Sequence, residues 1–171
     1  MPYYDYYQSP RGRMLLVADD HALTGVYFTG QKYHPRVDKE WKRAGRHAPL
    51  RQAKRELAEY FDGRRARFTV KVAPYGTPFQ RAVWKAIASI RFGHTIAYAE
   101  LAQRAGYPGS ARAAGAATGR NPISIIVPCH RIVGSNGSLT GYAGGLTKKR
   151  ALLALEAGSK LTCHTCETPS L

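Results

Sequence analysis

Ala73-Pro74-Tyr75-Gly76, running into Thr77-Pro78-Phe79-Gln80, constrains the fold of this 171-residue chain more than any other stretch. The first four residues have the composition of a linker. The next four are a helix start. Thr77 is an N-cap, Pro78 takes the first helical position where its missing N–H is not needed, and Gln80 completes a capping box. Phe79, Val83, Ile87 and Ile90 then recur at helical spacing as a core stripe, and Trp84 is expected in the same core. The patterns on the two sides differ. The chain therefore divides into an N-terminal α/β domain over residues 1–73 and a mainly α domain over 74–160. A polar tail, 161–171, is expected to be disordered.

Before the divide, residues 3–8, 13–18 and 23–28 are short segments rich in aromatic and branched side chains, which predicts a small antiparallel sheet. Asp19-Asp20-His21 suits a hairpin connection. Residues 31–47 are polar and basic and are read as a loop. A helix is predicted from Leu50, with Leu50, Leu57, Tyr60 and Phe61 on one face and Gly63 as its stop. Residues 68–72 alternate like one more strand.

After the divide, residues 98–105 form a short helix ended by Gly106, and Tyr107-Pro108-Gly109 makes a turn. A second helix from Ser110 gives the outline of a helix-turn-helix. Its side chains (Ala111, Arg112, Ala113, Ala114, Gly115, Ala116, Ala117) are almost all tiny. Such a helix lacks the large side chains that read a major groove and suits minor-groove docking. It equally suits a close helix–helix packing face. Residues 123–127 read as a strand that ends at Pro128-Cys129-His130-Arg131. Glycine-rich loops surround Tyr142, and Thr147 is expected to cap a last helix that carries Leu152, Leu153 and Leu155 and stops at Gly158.

Cys129 and His130 are the residues with chemistry. A thiol becomes a good nucleophile only as thiolate, and an adjacent imidazole can take its proton. Adjacent residues on an extended segment point apart, so a bridging water is the expected route. A histidine base needs a partner to fix its tautomer. Of Glu100, Glu156 and Glu167, Glu156 is the orienting carboxylate by elimination. Cys163 and Cys166, in Cys163-His164-Thr165-Cys166, make only half a zinc site, and no second cluster completes it. No metal or cofactor is expected, and an odd cysteine count argues against a disulfide framework.

The charge names a partner class. Lys and Arg number 26 against 11 Asp and Glu, for a net charge of +15. The excess is spread along the chain, with fifteen cations against eight anions in residues 1–73 and eleven against three beyond. A basic folded surface favours nucleic acid. Neither a signal peptide nor a bilayer-length apolar run is evident, so the expectation is a soluble cytoplasmic protein with no membrane partner, nuclear if the source is eukaryotic.

The stretch from Asn121 to Ile132, Asn-Pro-Ile-Ser-Ile-Ile-Val-Pro-Cys-His-Arg-Ile, resembles the active-site signature of the O6-alkylguanine-DNA alkyltransferases. So, in order and spacing, do 77–84, 96–98, 111–115 and 141–145, and the resemblance covers about residues 74 to 158. It implies a ribonuclease H-like N-terminal domain, and a protein that moves the alkyl group of O6-alkylguanine in double-stranded DNA irreversibly to its own cysteine. O4-alkylthymine is left open as a second lesion. Carried over, Cys129 is the nucleophile and alkyl acceptor, His130 the water-mediated base, and Glu156 its orienter. Asn121 holds the active-site turn, and Tyr98 donates to the departing base. Carbonyls near Cys129 and Ile132, with Tyr142, Ala143 and Gly144, line the guanine pocket. The second helix enters the minor groove, Ala111 and Ala113 permit close approach, and Arg112 fills the stack vacated by a flipped nucleotide. Ala99, Tyr107, Ser110 and Ser135 contact the DNA backbone, and the protein acts as a monomer. Residues 1–73 contain no cysteine, so the zinc site of some members is not expected; Ala143 replaces a serine found in others.

Two other readings account for fewer residues. A Cys–His hydrolase leaves the charge and the tiny-residue helix without a role. A helix-turn-helix regulator lacks side chains to read bases.

Overall fold

The computed structural model describes residues 1–159 and Leu161. The expected disorder of the tail, together with Cys163 and Cys166, lies outside the described residues. Three strands, β1 (Tyr3–Ser9), β2 (Gly12–Ala18) and β3 (Leu23–Phe28), form antiparallel pairs with Tyr3 opposite Ala18 and Met14 opposite Phe28. The 31–47 segment is not wholly loop. It contributes β4 (Lys42–Arg43), which pairs in parallel with β1 and completes the sheet order β3-β2-β1-β4. Asp19 makes the hairpin: its carboxylate accepts from the backbone N–H groups of His21 and Ala22, both at 2.8 Å.

Helix α1 (Ala48–Phe61) buries Leu50, Ala53, Leu57 and Tyr60 against Met14, Leu16 and Ala18 of β2 in one core. Residues 68–72 keep the burial alternation of a strand, with Phe68, Val70 and Val72 inside. They do not form one: only Val72 bridges the sheet, in parallel with Leu23, and at Thr69 and Val70 a side chain replaces the sheet partner. Glu56, fully buried on α1, accepts from the backbone N–H of Thr69 (2.9 Å) and of Val70 (3.1 Å) and from the Thr69 hydroxyl (2.5 Å). Burial alone would raise the Glu56 pKa, but these bonds and one from Gln52 outweigh it and hold the carboxyl below its ordinary value.

Helix α2 (Pro78–Ala88) starts at Thr77 with both halves of the capping box formed. Its Trp84 is buried and donates from Nε1 to the Ala117 carbonyl at 2.8 Å. The linker lies so close to this ring that a Cβ on Gly76 would come within 2.5 Å of it, which restricts that position to glycine. Short β5 (Ile96–Ala97) leads into α3 (Tyr98–Arg104), and α4 (Ala111–Gly119) follows with Ser110 at its N-cap position. The tiny-residue helix packs Ala114 and Ala117 inward, while Arg112, Ala113 and Ala116 are exposed. β5 pairs in parallel with β6 (Ile132–Val133), and α5 (Leu146–Ala157) closes the described chain. Gly145, not Thr147, occupies the N-cap position of α5, so Thr147 lies inside the helix.

The run 123–127 is not a strand either. It makes one bridge to the sheet, with Val26 N–H donating to Pro122 O (2.8 Å) and Ser124 N–H to Val26 O (3.0 Å), and then coils. Ile125 sits at φ 71°, a left-handed conformation that a β-branched residue rarely adopts. Branched apolar residues here fill the core rather than pair.

Candidate active site

Asn121 shapes the coil that delivers Cys129. Its amide donates to the carbonyls of Val127 (2.8 Å) and Ile123 (3.3 Å), and its Oδ1 accepts from the Ile123 N–H (3.0 Å). A 3₁₀ turn, Cys129–Arg131, then replaces the extended geometry expected there, with Cys129 N–H bonded to Val127 O at 2.8 Å. Cys129 is a free thiol and 5% exposed. Burial raises its pKa, opposed by a hydrogen bond from Asn121 and the charge of Lys149.

His130 is completely buried, and its Nε2 meets Glu156 Oε1 at 2.6 Å. Its Nδ1 is also buried and has no partner. Glu156, on α5, is the centre of a polar cluster. Arg131 donates to it through Nε and Nη2, both at 2.9 Å, Tyr60 through its hydroxyl at 2.8 Å, and Gly93 through its N–H at 3.3 Å. Burial would raise the Glu156 pKa, yet His130 and Arg131 drive it far below the usual carboxylate range. The carboxylate is thus ionised, Nε2 of His130 carries the proton that faces it, and Nδ1 holds a lone pair. Burial also lowers the His130 pKa; Glu156 pulls it back, and the cations Arg131 and Lys149 push it further down.

Cys129 opens on a pocket of about 480 Å³, also lined by Tyr98, Gly115, Thr118, Tyr142 and Ala143. The Tyr142 hydroxyl is buried without a partner, and its pKa is raised well above the ordinary value by burial and by its nearness to Cys129. Tyr98 donates to the Thr140 carbonyl at 3.2 Å. Of the other expected site residues, Ile132 is buried and offers its carbonyl to Lys149, while Gly144 packs between the rings of Tyr142 and Phe28. Arg112, Ala113, Ala99 and Ser135 are exposed, and Ser110 and Ala111 are half-buried at the start of α4. Tyr107 is 41% exposed, its ring edge-on to Phe79 at 4.8 Å. None of these last seven lines the pocket.

Several members of the site escape a reading of the sequence. Lys149 is wholly buried on α5, and its ammonium donates to the carbonyls of Ile132, Thr140 (2.8 Å) and Gly141 (3.3 Å), tying the loop beside the pocket to the turn that holds Cys129. Its signal was spacing: Lys149, Leu152 and Glu156 share one helical face. Arg131 stood in the quoted motif with no role attached. Tyr60 was assigned only to the core. Lys32, Tyr33 and Arg120, which also line the pocket, carry no local signal. Among the described residues no group of three His, Cys, Asp or Glu side chains is placed to hold a metal ion.

Family models match almost the whole described chain. Residues 2–74 match the ribonuclease-like domain of 6-O-methylguanine DNA methyltransferase, and residues 78–158 match its DNA-binding domain. A methylated-DNA–protein-cysteine methyltransferase of Methanosarcina acetivorans is 46% identical over 90% of this chain and 97% of its own length. One from Haemophilus influenzae is 41% identical over 90% and 86%. The crystal structure of Mycobacterium tuberculosis O6-methylguanine methyltransferase has a TM-score of 0.85 at 41% identity, covering 95% of this chain and 97% of that one. The same organism's OGT in complex with DNA has a TM-score of 0.83 at 41% identity, covering 91% and 92%. Matched over both of its domains and by these relatives, the chain belongs to the 6-O-methylguanine DNA methyltransferase family.

Proposed function

We propose that this protein repairs O6-alkylguanine in double-stranded DNA by transferring the alkyl group to Sγ of Cys129, once and irreversibly. The observation that carries the reading is the unpartnered, buried Nδ1 of His130, backed by an ionised Glu156, next to a thiol that faces the pocket. His130 Nδ1 takes the thiol proton through a water, and imidazolium forms against Glu156. The thiolate attacks the alkyl carbon in line. The S–C bond forms as the C–O6 bond breaks, and the electron pair leaves on guanine. Tyr98 supplies a hydrogen bond or proton to the departing base. The product thioether carries no ionisable proton, so Cys129 cannot serve again.

Asn121 holds the turn, and the carbonyls near Cys129 and Ile132, together with Tyr142, Ala143 and Gly144, form the walls around guanine. The target carbon is inaccessible within a duplex, so the nucleotide is flipped out. Helix α4 does this from the minor groove: Ala111 and Ala113 allow close approach and Arg112 fills the gap. Ala99, Tyr107, Ser110 and Ser135 contact the backbone. We take residues 1–73 and 74–160 as the two domains, the acting unit as a monomer, and the compartment as the cytoplasm.

The test is mass spectrometry of the protein after incubation with a duplex containing one O6-methylguanine. One methyl group should appear on the Cys129 peptide, and the reaction should stop at one equivalent. Methyl transfer that persists in Cys129→Ser, or that continues beyond one equivalent, overturns the assignment.

A further inference from the structure

We infer that Tyr33 and Arg120 form a clasp across the rim of the pocket that favours small O6 substituents over bulky ones; this rests on the transfer reaction proposed above. Both residues line the pocket that contains Cys129. They lie at its rim, for Tyr33 is 48% exposed and Arg120 is exposed, whereas Cys129 at its floor is 5% exposed. The Arg120 guanidinium sits over the Tyr33 ring at 4.3 Å from its centroid. The two come from opposite parts of the chain, Arg120 from the end of α4 and Tyr33 from the segment after β3.

That segment is built into place. Gln31, 9% exposed, accepts from the Phe28 N–H at 2.7 Å and from the Ser124 hydroxyl at 3.4 Å. Lys32 N–H donates to the carbonyl of Ala143, across the pocket wall, at 3.2 Å. These anchors immediately before Tyr33, and the His34 N–H bonded to the Gln31 carbonyl at 3.2 Å, fix the backbone, and Tyr33 adopts φ 62°, a conformation unfavourable for any residue with a Cβ. The ring is therefore held at the rim by its neighbours, by Lys32 (Nζ 5.2 Å from the ring centroid) and by Arg120, against its own backbone preference. A small alkyl group beside Cys129 stays beneath the clasp. A large one must displace it, which costs the cation–π contact.

The test uses free bases, so that any loss of attraction to phosphate cannot affect the result. Single-turnover rates are measured with O6-methylguanine and O6-benzylguanine, by the mass of the Cys129 peptide. Tyr33→Gly, which accepts the left-handed backbone, and Arg120→Ala should each raise the benzyl-to-methyl rate ratio about two- to fivefold, the fold-change expected from one exposed cation–π contact. The double variant should match Tyr33→Gly, because removing the ring already removes the Arg120 contact. Tyr33→Phe keeps the ring and should keep the wild-type ratio. An unchanged ratio in the single variants, additive effects in the double, or a Phe variant that behaves like Gly overturns the clasp. A wild-type protein that gains no alkyl mass on Cys129 from either base, or from the methylated duplex, would overturn the transfer reaction instead.

Discussion

Cys129 and His130 are adjacent, buried and each held in its neutral form. Burial raises the thiol pKa above 9.0 and lowers that of the imidazole below 6.5, so thiol and free imidazole coexist at neutral pH. Two consequences follow for rate. Falling pH protonates His130 only below its ordinary value and then removes the base. Rising pH generates thiolate directly as the raised thiol pKa is approached. Single-turnover rates with a free alkylguanine base should rise with pH on both limbs, with a flat interval between; a bell-shaped profile would contradict this ordering. Stability has the same sign. Folded His130 and Glu156 both bind fewer protons than their unfolded forms, so stability is fully present above their ordinary values, 6.5 and 4.5, and declines as pH falls through the folded ones. Thermal melts should show the decline beginning near 6.5 in wild type, and only further down in His130→Asn. The thiol–imidazole adjacency was plain in the sequence. The depressed base was not, because it depends first on the complete burial of His130 and then on the charges of Arg131 and Lys149, neither of which can be read from adjacency.

At the scale of elements, helices were more legible than strands. Thr77 and Gln80 signal their helix through bonds made within four residues, and both bonds form. Segments 68–72 and 123–127 carry the right residues for strands, but strand identity needs a partner elsewhere in the chain. Glu56 takes that place for the first, and the bonds of Asn121 coil the second. The tiny-residue helix was open to two readings, and α4 shows the packing one while leaving the other face open to solvent. Ala114 and Ala117 permit tight packing inward, with Ala117 offering its carbonyl to Trp84, while Arg112 and Ala113 face solvent. The outward role carries its own prediction. In the proposed mechanism Arg112 acts only when a nucleotide leaves the stack, and Arg112→Ala removes it. Repair of a methylated duplex should slow at least tenfold, of the order of the few kcal/mol that flipping costs. Reaction with free alkylguanine base should hardly change. Equal slowing of both would assign Arg112 to the pocket instead.

At the scale of the whole molecule, the chemistry crosses between the two domains. Tyr60 lies on α1 of the ribonuclease-like domain, yet its hydroxyl donates to Glu156 on α5, 96 residues away, at 2.8 Å. The N-terminal domain therefore helps to hold the carboxylate that fixes His130, which no local pattern around Tyr60 could reveal. The hydroxyl bond goes to a buried charge, and such bonds contribute about 1.5–3 kcal/mol. Tyr60→Phe should lower stability by about that amount in chemical denaturation while leaving the ring packed against Phe68 and Phe92. Glu156 keeps its bonds to His130 and Arg131 in this variant, so alkyl transfer should slow by no more than about tenfold, the equivalent of 1.4 kcal/mol lost in positioning. The spread of charge over both domains adds a separate expectation. Binding to undamaged duplex should weaken linearly on a logarithmic salt scale, with a slope of about −4.5 for contact with roughly five phosphates. That slope should be the same in Tyr60→Phe, because the bond lies inside the protein and the DNA surface does not depend on it. A shallower slope in the variant would show that Tyr60 also sets how the two domains present their charge to DNA.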